Sequence, residues 1–123
     1  LVIIEVMPKN ESTETNLAGR YADWFIIENK SDFEISLEGF YMSDNSKKPK
    51  KWSFPNGLKI GSHQRLKIWA DDKVSINNEI HCSFKLSSEG ETLFLVAPDI
   101  LGNKVIDSIA WKDAAPDFLI TSN

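Results

Sequence analysis

The residues that could do covalent chemistry are few. His81 and Cys82 are adjacent, and His63 is the second of the chain's two histidines. A nucleophilic cysteine needs a thiolate beside a base, and a third group to orient that base. No protease-like signature surrounds the pair, and one cysteine with two histidines makes a poor metal-ligand set. A small, half-buried thiol in a strand accounts for Cys82, so no catalytic residue, cofactor or metal is expected. Acidic residues offer a second chemistry. Asp71-Asp72 and Asp44-Asn45 could gather calcium at loop tips, yet neither stretch has the alternating oxygen ligands and closing Glu of a strong calcium loop. Turn formation explains both.

Charge offers a third. The run "KKPKKW" places Lys47, Lys48, Lys50 and Lys51 in the one basic cluster of the chain. With these four lysines set aside, the net charge of −4 becomes −8, so the positive charge is local. The cluster could meet nucleic-acid phosphate or another anionic polymer, or serve as an import-like signal. It has no arginine and no interleaved aromatics, and 14 basic against 18 acidic residues argues against a nucleic-acid partner. A solvated hairpin tip is the simpler reading. Trp69, Phe94 and Trp111 could form an aromatic platform for carbohydrate, although a structural role suits Trp69 better.

The elements that must position these residues are strands. Chain length, 123 residues, suits one domain with a real core, and a single cysteine excludes an intrachain disulfide. Four Trp and seven Phe favour strands and sandwich cores. Strand patterns run over 1–7, 23–28, 34–37, 39–43, 51–54, 58–60, 64–70, 80–82, 91–97 and 104–111, separated by turn signals such as Pro55-Asn56-Gly57. Residues 72–78 have room for one helical turn at most. The pattern predicts an all-β, antiparallel β-sandwich of about eight to ten short strands. Residues 1–111 are read as the domain and 112–123 as a C-terminal tail or linker. No apolar run approaches the roughly 18 to 20 residues that span a bilayer, so no membrane insertion is expected.

Alternation assigns the faces. Phe25 and Ile27, Phe40 and Met42, Trp52 and Phe54, Leu66 and Ile68, and Leu93 and Leu95 are read as core. Trp24, Ile26, Trp69 and Phe94 then fall on outer faces. Trp24 and Ile26 belong to a strand that is apolar on both sides, which implies a cover for the outer side. Another protein, another domain or a second copy could supply it, as could a loop of the same domain such as residues 11–21.

The ordered series "IIEVMPKN", "DWFIIENKSDFEISLEGFYMSD", "KWSFPNGLKI", "RLKIWADD", "FKLSSEGETLFLVAPD" and "VIDSIAW" resembles the lamin tail domain, an immunoglobulin-like family. The likeness rests on Asp23-Trp24, Asn29, Leu37-x-Gly39, Ser43-Asp44, Phe54-Pro55, Trp69-Ala70, Gly90-Glu91-Thr92 and Asp107-Ser108. It covers residues 2–111, and the loops are closer to bacterial members than to animal lamins. Two positions depart from the family pattern: Ile26 stands where Glu is common, and Glu28 where an aromatic is common. The resemblance implies an immunoglobulin-like sandwich without catalysis, acting in protein–protein or domain–domain recognition. The contact residues expected from the outer apolar face, and not from the family pattern, are Trp24, Ile26 and Glu28, with a neighbouring domain, another protein or a second copy as the expected partner. The resemblance further implies an extracellular, cell-surface or periplasmic setting within a larger exported protein. The start at Leu1, already inside an apolar run, fits a domain cut from a longer chain. Polyanion binding through Lys47, Lys48, Lys50 and Lys51 is the alternative, and carbohydrate binding a second one.

Overall fold

The computed structural model describes residues 1–76 and 78–122. Asn77, within the 72–78 stretch, and Asn123, at the end of the tail, lie outside the described residues. Among the described residues eleven strands follow in order: β1 (Val2–Met7), β2 (Asp23–Glu28), β3 (Ile35–Ser36), β4 (Tyr41–Ser43), β5 (Trp52–Ser53), β6 (Lys59–Ile60), β7 (Arg65–Ala70), β8 (Ile80–Cys82), β9 (Gly90–Val96), β10 (Val105–Lys112) and β11 (Ile120–Thr121). The described part of 72–78 holds no helix; a 3-10 turn occurs instead at Asp99–Leu101.

Two sheets face each other. One has the order β11-β1-β2-β7-β8 and the other β10-β9-β4-β5, with β3 and β6 forming a small ribbon. This is the expected β-sandwich. One pair breaks the antiparallel rule: β8 runs parallel to β7, with Trp69 opposite His81. A parallel neighbour requires a crossover. Residues 71–79 make it, and that detour builds the side of the molecule described below.

Alternation decides the core. Phe25, Ile27, Met42, Phe54, Ile68, Leu93 and Leu95 are completely or almost completely buried between the sheets, while Phe40, Trp52 and Leu66 pack at its margin. Each large side chain removed from water contributes about 1.5–3 kcal/mol. Asn29 is the polar counterpart. Its side-chain amide donates to the carbonyls of Phe33, Ile60 and Gly61, and its carbonyl accepts from Ser31. That network turns the chain after β2 and ties the turn to β6. Gly90 opens β9 at φ 140°, where an added Cβ would sit 3.1 Å from the Trp111 carbonyl.

Trp24 and Trp69 lie on the outer face of the first sheet, as alternation requires, but they are only 5% and 3% exposed. They pair across β2 and β7 and form a second cluster with Met7, closed by Ala22, Ile26 and Leu119. The segment read as a tail supplies part of that cover. Residues Ile120 and Thr121 add β11 to the edge of β1, opposite Val6 and Glu5. Before them, Asp117 accepts hydrogen bonds from the amides of Glu11 and Ser12 and from the hydroxyls of Ser12 and Thr13. Two residues without periodicity leave no strand signal in a sequence, which explains why β11 could not be read there.

Candidate interaction surfaces

Strand β8 separates the two residues nearest to nucleophilic chemistry. Successive side chains on a strand point to opposite faces. Cys82 therefore enters the core, where its thiol donates 3.5 Å to the Phe84 carbonyl. Burial pushes that thiol up to about 12, so it holds its proton. His81 turns the other way. Its Nδ1 lies 2.8 Å from Asp71 and its Nε2 2.8 Å from Glu79, all three nearly buried. The adjacent pair does not meet. His63 is far out on the surface beside Asp32.

The other sequence candidates are scattered by the fold. Trp24, expected at a contact face, is enclosed by its own chain. Ile26 beside it is half-buried. Glu28 accepts from Arg65 Nε at 2.8 Å and has Lys30 3.9 Å away. Of the four lysines, Lys51 bonds Asp44 at 2.6 Å and Lys50 bonds Asp99 at 3.3 Å. Lys47 and Lys48 form no ion pair among the described residues. Of the loop-tip residues, Asp44 is held by Lys51, Asp71 by His81 and Asn45 by the amide of Lys47, while Asp72 is exposed. Among the described residues no group of three His, Cys, Asp or Glu could hold a metal ion. The aromatic platform does not assemble. Trp69 and Phe94 belong to different sheets, and Trp111 is buried with its indole N–H donating to the Ser87 carbonyl.

Two surface features remain that the sequence pattern did not single out. The first lies where the crossover 71–79 approaches the loop 12–22. Glu79 bridges them, accepting from the Leu17 amide at 2.9 Å while it holds His81. Ser75 holds the crossover from inside, its hydroxyl accepting from the His81 amide. Above this floor opens a cavity of about 360 Å³, walled by Leu17, Val74 and Ile76 and rimmed by Arg20 and Lys73. Val74 is 87% exposed, and Leu17 and Ile76 are also open to water. Neither Arg20 nor Lys73 has a carboxylate within ion-pair distance among the described residues. The second feature is the turn between β9 and β10, where Ile100 and Leu101 are exposed beside the lysine loop. Lone apolar residues in polar loops were the available signal for both.

Two packed sheets, a buried inert thiol and outward-facing apolar loops define an immunoglobulin-like β-sandwich built for contact. Comparison with known families gives this class a name: the Lamin Tail Domain model matches residues 1–113, and the chain belongs to that family of immunoglobulin-like, non-catalytic interaction modules. No protein of curated function and no solved structure matches the chain.

Proposed function

We propose that this domain is a recognition and tethering module that holds an extended protein segment in the cavity between the loop 12–22 and the crossover 71–79. The observation that carries this reading is the cavity itself: three exposed aliphatic side chains, Leu17, Val74 and Ile76, converge on one hollow. Large apolar groups gathered in one place mark contact surfaces more than scattered ones do. The rim gives the partner its chemistry. Arg20 and Lys73 stand at the edge, with Lys85 at the adjoining hollow that shares both of them, on a chain of net charge −4. The segment that fits carries bulky apolar side chains flanked by Asp or Glu, and belongs to another protein or to a neighbouring domain of the parent chain. The face formed by Trp24, Ile26 and Glu28 is less suited, because Trp24 and Glu28 already have partners within the domain. A setting outside the cytoplasm is proposed on the family resemblance alone, since one buried, protonated cysteine suits a reducing and an oxidising medium alike.

An array of decapeptides with the same apolar residues, interspersed with either aspartate or lysine, tests the proposal. The acidic set should retain the domain, and a Val74→Glu/Ile76→Glu variant should release it while Ile26→Glu should not. Equal retention by the lysine set, or none by either set, would sink this reading.

A further inference from the structure

The turn joining β9 to β10 holds two large apolar side chains in water. Ile100, 92% exposed, is the most exposed large hydrophobic residue among those described, and Leu101 follows it. Val105 and Ile106, at the start of β10, are exposed as well. The turn is built to hold this shape. The Leu101 amide donates to Pro98 and the Gly102 amide to Asp99, both at 2.9 Å, and Gly102 takes the left-handed φ of 76°. Asn103 braces the base, donating to the carbonyl of Ala97 and the carboxylate of Asp99. An apolar tip held rigidly in solvent contributes nothing to the core, so its burial must come from elsewhere.

Beside the tip stands the lysine loop. Lys50 and the Tyr41 hydroxyl both donate to Asp99, which fastens the loop to the turn. Lys48, Pro49, Lys50, Lys51 and Asn103 line a hollow of about 520 Å³ between them. Lys47, Lys48 and Lys104 form no ion pair among the described residues, while the remaining pair, Lys50 and Lys51, is neutralised by Asp99 and Asp44. The corner is therefore cationic on a chain that is acidic overall.

We propose that this corner docks the domain onto an anionic lipid surface. Ile100 and Leu101 enter the boundary between headgroups and acyl chains. Lys47, Lys48 and Lys104 meet headgroup phosphates, and the hollow beside Asn103 receives one headgroup. A nucleic acid would use the lysines but has no place for an aliphatic apex, and the ring of Tyr41 at this corner is half-buried with Lys50 standing 5.8 Å from its centre. One apolar anchor combined with a basic patch is the pairing that gives reversible surface attachment. This docking lies on the surface and needs no spanning segment. It uses none of the residues of the acidic-peptide cavity, so either proposal can fail without the other.

The test is sedimentation with vesicles of phosphatidylcholine alone and of phosphatidylcholine with phosphatidylserine. The domain should bind the mixed vesicles and not the neutral ones, and added salt should weaken binding. Ile100→Ser/Leu101→Ser and Lys47→Ala/Lys48→Ala/Lys104→Ala should each weaken it, by roughly tenfold or more. A second measurement is independent of variant affinity. With Cys82 buried, a polarity-sensitive dye on Ile100→Cys labels the tip alone, and its emission should shift to the blue on mixed vesicles only. No binding to mixed vesicles, equal binding to both kinds, or an unshifted dye would overturn the proposal. So would a tip variant that binds normally while the lysine variant does not, since that marks a general polyanion site, which a DNA duplex would then also occupy.

Discussion

The ammonium of Lys67 stands 4.2 Å from the centre of the Trp24 ring. The two residues share the outer face of the first sheet, and Lys67 also reaches Glu14 at 2.6 Å. A lysine stem and an acid from the loop 8–22 thus roof a tryptophan that faces away from the core. The strand β2 is apolar on both sides because the domain has a small second core behind its first sheet. That core contains one flaw: the Trp24 indole N–H is buried without a partner among the described residues.

An orphaned buried donor costs about 1–3 kcal/mol, so removing it while keeping a ring should be tolerated. Trp24→Phe should change unfolding stability by less than about 1 kcal/mol, whereas Trp24→Ala, which empties the cluster, should cost about 3–5 kcal/mol. Urea denaturation of the two variants measures the difference. A loss of about 1–3 kcal/mol in Trp24→Phe would mean that the indole N–H has a partner.

One side chain links β10, at the edge of the second sheet, to the start of β1 in the first. Asp107 Oδ2 accepts from the Ile3 amide at 2.7 Å, each residue standing beside a bulge in its strand. Strand β11 is too short to serve this part of β1, pairing only with Glu5 and Val6. Asp107→Ala would leave the amide unpaired and should cost about 1–3 kcal/mol. Asp107→Asn retains an acceptor and should recover much of that loss. If both variants are equally unstable, the carboxylate's charge rather than its hydrogen bond matters.

Stability should depend on pH in a direction fixed by two acids. Burial favours the neutral form of Glu91, raised to about 7, and of Asp23, raised to about 6. In the unfolded chain both revert to ordinary carboxylates near about 4. Between those values the folded state holds more protons than the unfolded state, so stability falls as pH rises from about 4 to about 7 and then levels off. Glu91→Gln keeps the acceptor for the Ser87 amide and removes the titration. Its melting temperature should fall less steeply across this window than that of the parent. Asp99 and Asp117 act with the opposite sign, since hydrogen bonds hold both below the usual carboxylate range; their contribution is lost as pH falls below about 4. An unchanged slope in Glu91→Gln would contradict the assignment.

The main core was legible because period-two alternation is a local signal, and Phe25, Ile27, Leu93 and Leu95 obey it. The same rule placed Trp24 and Trp69 on the outer face but could not say what covers them. Their cover comes from Leu119, far along the chain, and alternation carries no information about such distant partners. The parallel pairing of β8 was equally hidden, since a three-residue strand reads alike in either direction. The cavity depends on that pairing, which is why Leu17, Val74 and Ile76 looked like unrelated loop residues. Asn29 is a middle case: its turn role was readable, while its bonds to Ile60 and Gly61 depend on where β6 comes to lie.

The family match ends at residue 113, yet the segment beyond it closes the second core through Asp117, Leu119 and β11. A chain ending at Asp113 keeps every strand of the two principal sheets except β11. It should fold, because the main core draws nothing larger than Ile120 and Ala114 from the tail. It should also expose Trp24 and Trp69, which are shielded in part by Leu119. Their fluorescence should shift to the red, and the melting temperature should drop by roughly 5 °C or more. Asp117→Ala, which frees the tail from residues 11–13 without shortening it, should move both readouts in the same direction but less far. Unaltered fluorescence in the shortened chain would show that the loop 8–22 and Lys67 suffice as a roof, and that the tail packs against a core already closed.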